Sequence, residues 1–262
     1  MKVGFIGCGN MGGAIARALS RTGLCEIYLS DYSTEKARLL AEEIGASVSS
    51  NRDITRECKF VFLGVKPNTV REVLSDISDD LKKNDAVVVT MAAGVAIDSV
   101  KAVIGNDRKV IRIMPNTPVS VGYGMITWCE SGCSESELNC FVSLMDKAGS
   151  LDKITEELID AASALSGCGP AFVYMFAEAL ADGGVSCGLP RDKAMRYAAE
   201  TIKGAALMML RTGKHPGQLK DEVCSPGGST IEGVRALEDG ALRSTVQGAV
   251  IAAYEKTKKL GK

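Results

Sequence analysis

The sequence predicts an α/β protein in which a doubly wound sheet is followed by an all-helical region, and three observations carry that prediction. Over the first half, short β-branched runs alternate with amphipathic stretches, the pattern of parallel strands joined by helical crossovers. A glycine turn, Gly7-Cys8-Gly9-Asn10-Met11-Gly12, directly follows the first apolar run and opens the first amphipathic one. From about residue 153 no β-branched run bounded by turns recurs, and the periodic segments lengthen. Two domains are therefore expected, over 1–152 and 153–262.

Strands are expected over 3–6, 26–30, 60–64, 86–90 and 110–114, where Val, Ile, Leu and Phe cluster. Such runs, apolar along their length, suit a sheet covered on both faces. Helices over 11–21, 34–44 and 69–81 repeat apolar residues at helical spacing, and a strand over 124–129 with a helix over 134–147 completes the first domain. The second should hold helices over 156–164, 171–185, 191–212, 229–238 and 241–259, with Pro or Gly at most junctions. The 171–185 stretch is apolar nearly all round, which in a region of about 110 residues requires burial from several sides at once; a subunit interface supplies it. Glu178 and Asp182 inside that stretch would be costly in lipid, and no uninterrupted apolar run reaches the ~18 residues of a membrane span.

Composition narrows the function further. Of the 262 residues, 31 are Lys or Arg and 32 are Asp or Glu, so no overall field draws in nucleic acid or an anionic membrane. An anionic ligand must be captured locally. Nine cysteines are an odd number, several lie among apolar or glycine-rich neighbours, and the nearest approach to a metal pattern is Cys129-x3-Cys133 with the single His at 215. Reduced thiols and no metal site are expected. The first residues run straight into an apolar strand and a glycine turn, with no export signal, and the protein is expected in the cytoplasm.

The glycine turn points to a dinucleotide. Gly7 makes the tight turn, Gly9 lets a pyrophosphate approach the backbone, and Gly12 lets the helix pack closely on the strand. Free N–H groups and the positive end of the helix dipole then hold phosphates without a lysine. Asp31, at the end of the second expected strand, is placed to accept hydrogen bonds from a ribose and to repel a 2′-phosphate, which favours NADH over NADPH. Lys36 and Arg38 lie near enough in sequence to leave the phosphorylated cofactor open, and Asp31 could instead cap the helix that begins near Ser33.

Three further motifs sit where a Rossmann-type sheet meets its ligand: Val65-Lys66-Pro67, Met114-Pro115-Asn116-Thr117-Pro118 and Ser225-Pro226-Gly227-Gly228-Ser229-Thr230. With Leu165-Ser166-Gly167-Cys168-Gly169-Pro170, Leu189-Pro190 and His215-Pro216-Gly217-Gln218-Leu219, the whole chain resembles the pyrroline-5-carboxylate reductase family of proline biosynthesis. The resemblance implies an N-terminal Rossmann-type domain followed by an all-helical dimerisation domain, often assembled as a pentamer of dimers. It implies cofactor contacts from Asn10, Met11, Asp31, Asn51, Val65, Lys66, Pro67, Ala92, Ala93 and Gly94, with Asn116 in its own loop beside them. It also implies that Ser225, Gly227, Gly228, Ser229 and Thr230 hold the substrate, that Thr230 hydrogen-bonds the ring nitrogen or carboxylate, and that Glu156 contributes near the amine. Glycine-rich turns at helix N-termini suit a carboxylate, because their N–H groups are free and no side chain blocks approach.

The family usually has Ser at Cys168 and Thr or Ala at Ser229; both replacements are small. With one imidazole in the chain, at a His-Pro-Gly turn, Cys168 does not read as a nucleophile. A two-domain hydroxyacid dehydrogenase is the competing enzyme, but it needs a lysine acid early in the helical region, and none occurs between Lys153 and Lys193. A non-catalytic nucleotide-sensing scaffold is the third reading, against which the intact 225–230 loop argues.

Overall fold

The computed structural model describes residues 1–260 and divides into two compact units, Met1–Cys168 joined by the end of the last helix from Ala253, and Gly169–Ala252. The first unit holds β1 (Lys2–Ile6), α1 (Asn10–Ser20), β2 (Glu26–Ser30), α2 (Thr34–Ile44), β3 (Ser47–Val48), α3 (Asn51–Glu57), β4 (Phe60–Leu63), α4 (Pro67–Asn84), β5 (Val87–Thr90), α5 (Ile97–Ile104), β6 (Lys109–Met114), β7 (Gly124–Ser131), α6 (Glu135–Leu144) and β8 (Gly149–Lys153). A 3₁₀ turn, Glu156–Leu158, and a short α7 (Ile159–Ala162) follow. A π-helical turn, Ser163–Gly167, then leads into the helices α8 (Gly169–Ser186), α9 (Arg191–Thr212), α10 (Pro216–Val223), α11 (Ser229–Asp239) and α12 (Leu242–Leu260).

The sheet runs β3-β2-β1-β4-β5-β6-β7-β8, and every pair is parallel except β6–β7. Strand alternation sorts its residues onto two faces. Val3, Phe5, Phe62, Val89 and Ile113 pack with α1, α2 and α6, and Phe5 stacks on Phe62 at 4.7 Å. Ile6, Val61, Leu63, Val88 and Val110 pack with α3, α4 and α5. Both faces are covered, which is why the strands are apolar along their length.

The structure adds elements that local pattern does not announce. β3 is two residues long, and β8 reads Gly-Ser-Leu-Asp-Lys without an apolar run. α3 buries only Ile54 and Thr55, and α10 buries nothing, so neither offers a periodic stripe. α5 lacks a local cap: its N-cap is Ala96, and its acceptor comes from Glu156 far along the chain. The 156–164 helix expected as one piece is instead three short turns. The first unit extends to Cys168, beyond the expected division at 152/153, because Ile159 is buried in the core beneath α3–α5 and Asn116 reaches Ser166.

In the π turn Cys168 N donates to Ser163 O at 3.1 Å. Pro170 has no N–H to donate to the Ser166 carbonyl, the partner an α-helix would assign it. That carbonyl instead accepts from Asn116 Nδ2 at 2.9 Å, while the Ser166 hydroxyl bonds Ala162 O at 2.8 Å.

In the second unit α8 and α9 pack together around Ala181, Ala194 and Ala198, its only buried apolar cluster among the described residues. Val173, Tyr174, Met175, Phe176 and Leu180 of α8 are exposed in the single chain. By length and composition the helical run Glu156–Ser186 would pass for a membrane span; within the chain it is mostly uncovered. The several-sided burial that its composition demands is not met by this chain's own helices.

Candidate active site

In the first unit, the strand ends and the turns that follow them bring the cofactor candidates to the C-terminal edge of the sheet, where ligands of open α/β folds bind. β1 ends at Ile6, and Gly7, at φ +100°, turns the chain with its N–H on Ser30 O at 2.7 Å. A Cβ on Gly12 would lie 2.2 Å from Gly7 O, and one on Gly64 2.4 Å from the same atom. The glycines therefore let α1 and the end of β4 close on the turn. Gly64 is a third member of this packing that the G-x-G-x-x-G pattern does not mark.

Gly9 differs, because a Cβ there would meet nothing within 4 Å. It is the N-cap of α1, without a side-chain cap and with no acidic residue in the first turn, so the helix N-terminus presents free N–H groups beside open space. Exposed Asn10 and half-buried Met11 open the helix. This arrangement fits a dinucleotide pyrophosphate.

Asp31 is held from two sides. Its Oδ2 accepts from Cys8 N at 2.7 Å and its Oδ1 from Ser33 N at 2.9 Å, so one carboxylate ties the glycine turn to the start of α2. A carboxylate has about four lone-pair sites, which leaves acceptors for ribose hydroxyls. Burial first, and the Asp31 charge second, push the Cys8 thiol up to about 12, so it stays protonated. Arg38 pairs with Glu35 and Glu42 on the exposed face of α2, and exposed Lys36 lies beside it.

The remaining cofactor candidates follow the neighbouring strands. Asn51 opens α3 after β3, and its side-chain oxygen is buried with no partner among the described residues. Val65 packs on the α3–α5 core, Lys66 is the exposed N-cap of α4, and Pro67 is its first residue. Ala92 is buried after β5, Ala93 is half-buried, and Gly94 adopts φ +75°. Asn116 has both ends of its amide committed, Nδ2 to Ser166 O and Oδ1 to Met125 N at 2.9 Å, in a side chain only 8% exposed. It stitches β6 to β7 and to the π turn.

Glu156 lies in the first unit, with Oε1 accepting from Ile97 N at 2.8 Å and from Arg112 Nη1 at 3.0 Å. Arg112 is a buried cation that sequence reading passes over. The signal for it was present, as a lone charge in the otherwise apolar run Val-Ile-Arg-Ile-Met of β6.

The 225–230 loop belongs to the helical unit. Gly227 adopts φ +66°, Gly228 N donates to Ser225 O at 3.0 Å, and a Cβ on Gly228 would stand 2.4 Å from Ser225 Oγ. Gly228 is the N-cap of α11 and has no side-chain cap, so Ser229 and exposed Thr230 sit in an open first turn. His215 caps α10, its Nδ1 accepting from Gly217 N at 3.1 Å. All nine cysteines are free, and among the described residues no group of three or more His, Cys, Asp and Glu side chains could hold a metal.

Comparison with known proteins places this geometry. Residues 156–260 match the family model described as pyrroline-5-carboxylate reductase dimerisation, and residues 2–94 match that described as NADP oxidoreductase, coenzyme F420-dependent. The pyrroline-5-carboxylate reductase of Escherichia coli is 41% identical over 266 residues, covering 100% of this chain and 98% of its own. That of Glycine max is 43% identical, covering 98% and 95%. The crystal structure of the Plasmodium falciparum pyrroline carboxylate reductase with NADP bound superposes with a TM-score of 0.88 at 32% identity, over 100% of this chain and 98% of that one. An uncapped α1 behind a glycine turn, an open α11 behind a second one, and likeness along the full length agree: this chain belongs to the pyrroline-5-carboxylate reductase family.

Proposed function

We propose that the protein reduces 1-pyrroline-5-carboxylate to L-proline, the last step of proline biosynthesis, as an NAD(P)H-dependent enzyme of the CH–NH class. The observation that carries this is the open N-terminus of α11, where Gly227 and Gly228 leave first-turn N–H groups uncapped and Thr230 exposed. In a chain of this family, those N–H groups and the helix dipole hold the substrate carboxylate. Ser225, Gly227, Gly228, Ser229 and Thr230 form the cradle, and the Thr230 hydroxyl orients the ring nitrogen. Gly7, Gly9, Asn10, Met11 and Gly12 receive the cofactor pyrophosphate, Asp31 and Asn51 its adenosine half, and Val65, Lys66, Pro67, Ala92, Ala93 and Gly94 the remainder. When bound, the reduced nicotinamide supplies the hydride that adds to the C=N carbon. The protonated imine is already electrophilic, so the chain's contribution is positioning and electrostatics rather than a strong acid.

NADH is the preferred cofactor, supported by the Asp31 carboxylate beside the glycine turn, where it accepts from Cys8 N and keeps acceptors for a ribose. The working form is a homodimer, with a pentamer of dimers as the larger assembly, and nine free thiols suit a reducing cytoplasm. Following loss of NADH or NADPH absorbance with pyrroline-5-carboxylate tests the reading. Rapid turnover is expected, with kcat/KM higher for NADH, and ketoacids should be inert. Turnover of a ketoacid but not of the imine would replace this function with a dehydrogenase.

A further inference from the structure

β6 reads Lys-Val-Ile-Arg-Ile-Met, and its alternation puts Arg112 on the same face as Val110 and Met114, in the apolar layer under α3–α5. The residue is only 4% exposed. A buried guanidinium costs several kcal/mol unless it is paired, so its partners matter. Nη1 donates to Glu156 Oε1 at 3.0 Å and Nη2 to Asp160 Oδ1 at 3.1 Å, while Nε finds no acceptor among the described residues.

Glu156 Oε1 also takes the N–H of Ile97, the first residue of α5, at 2.8 Å. Because Ala96 has no side-chain acceptor, this oxygen supplies the cap that the helix lacks. Between β5 and α5 lies the 91–96 loop, tied at its start by Ala92 N to Thr90 Oγ1 at 3.4 Å and internally by Val95 N to Ala92 O at 3.3 Å. Glu156 secures its far end. In the strand order β2-β1-β4-β5, this loop and Asp31 flank the glycine turn on opposite sides. A dinucleotide with its adenosine at Asp31 must therefore bring its nicotinamide half toward the 92–94 loop.

We propose that Arg112 and Glu156 are positioning residues for the nicotinamide half of the cofactor: Arg112 holds the Glu156 carboxylate in place, and the carboxylate, by capping α5, sets the 92–94 loop. The inference rests on the function proposed above and moves Glu156 from substrate contact to loop support. Two ligands separate the halves of the site, NADH and ADP-ribose, or NADPH and 2′-phospho-ADP-ribose if the wild-type protein binds that pair more tightly. Glu156→Ala should weaken dinucleotide binding about ten-fold, the loss of one charged hydrogen bond, with ADP-ribose affinity unchanged and cofactor KM raised more than kcat is lowered. Glu156→Gln, which retains an acceptor for Ile97 N–H, should recover most of the affinity. Asp160→Asn weakens the other Arg112 partner without touching α5 and should bind the dinucleotide as wild type does.

Equal losses for both ligands in Glu156→Ala, no loss at all, or an Asp160→Asn defect matching Glu156→Ala would overturn the clasp and leave the proposed reaction intact. Wild-type protein that binds both ligands yet fails to reduce the imine would remove the reaction while the binding comparison still decided the clasp.

Discussion

At the scale of single residues, the site depends on where side chains are missing. Gly12→Ala would drive a methyl to 2.2 Å from Gly7 O, so α1 must back away from the turn. Overpacking of this kind costs about 1–3 kcal/mol, and we expect a lower melting temperature together with weaker cofactor binding in a fluorescence titration. Thr230→Ala removes a hydroxyl and leaves the helix start open; it should lower kcat about ten-fold, the worth of one hydrogen bond to the reacting group. Cofactor affinity should stay near wild type, and a variant that lost cofactor affinity at unchanged kcat would contradict the role given to Thr230. The glycine turn was legible in the sequence because its geometry is local. Asp31 was legible as a cap near Ser33, but Arg112, the tie from Asp31 to Cys8 and the stitching by Asn116 were not, since those partners lie on other strands or well along the chain.

At the scale of elements, α6 shows how a helix end ties the opposite edge of the sheet. Ser134 and Glu137 form a capping box, and Glu137 Oε1 also meets Lys59 at 2.5 Å and Lys109 at 2.9 Å. Burial, the largest influence, would raise the Glu137 carboxyl. Hydrogen bonds from Lys59, from the Ser134 backbone and hydroxyl and from Lys109 together outweigh it and bring the value down to about 2. A folded value below the ordinary 4.5 gives stability that is fully present above that pH and is lost as pH falls toward 2. Glu137→Gln should cost about 2 kcal/mol at neutral pH, and its melting-temperature deficit against the parent should shrink as the pH is lowered through that window. Long elements with an apolar stripe, such as α2 and α9, match the sequence reading end to end. α5 escaped it because its cap comes from Glu156, and β8 because its residues alternate without a hydrophobic run.

At the scale of the molecule, the helical unit buries three alanines and leaves α8 largely uncovered. Each large apolar side chain withdrawn from water is worth about 1.5–3 kcal/mol, which makes association the source of stability the unit lacks. Met175, 71% exposed in the single chain, is a direct probe. Met175→Glu should shift light scattering toward the monomer and lower activity in parallel; a fully assembled variant would place the interface elsewhere. The composition of α8 made the need for a partner legible in the sequence. The extent of the first unit was not, because the 154–168 segment joins it through Ile159, Arg112 and Asn116 rather than through any change in composition.

The contact among Gly7, Gly12 and Gly64 also bears on how such a protein can change over generations. Any one of the three that gained a side chain would strike the backbone of another, and no alteration at the second position makes room for it. Every mutational route out of this corner begins with a damaging step, so lineages descended from this chain can drift widely around the glycines while the glycines themselves stay put.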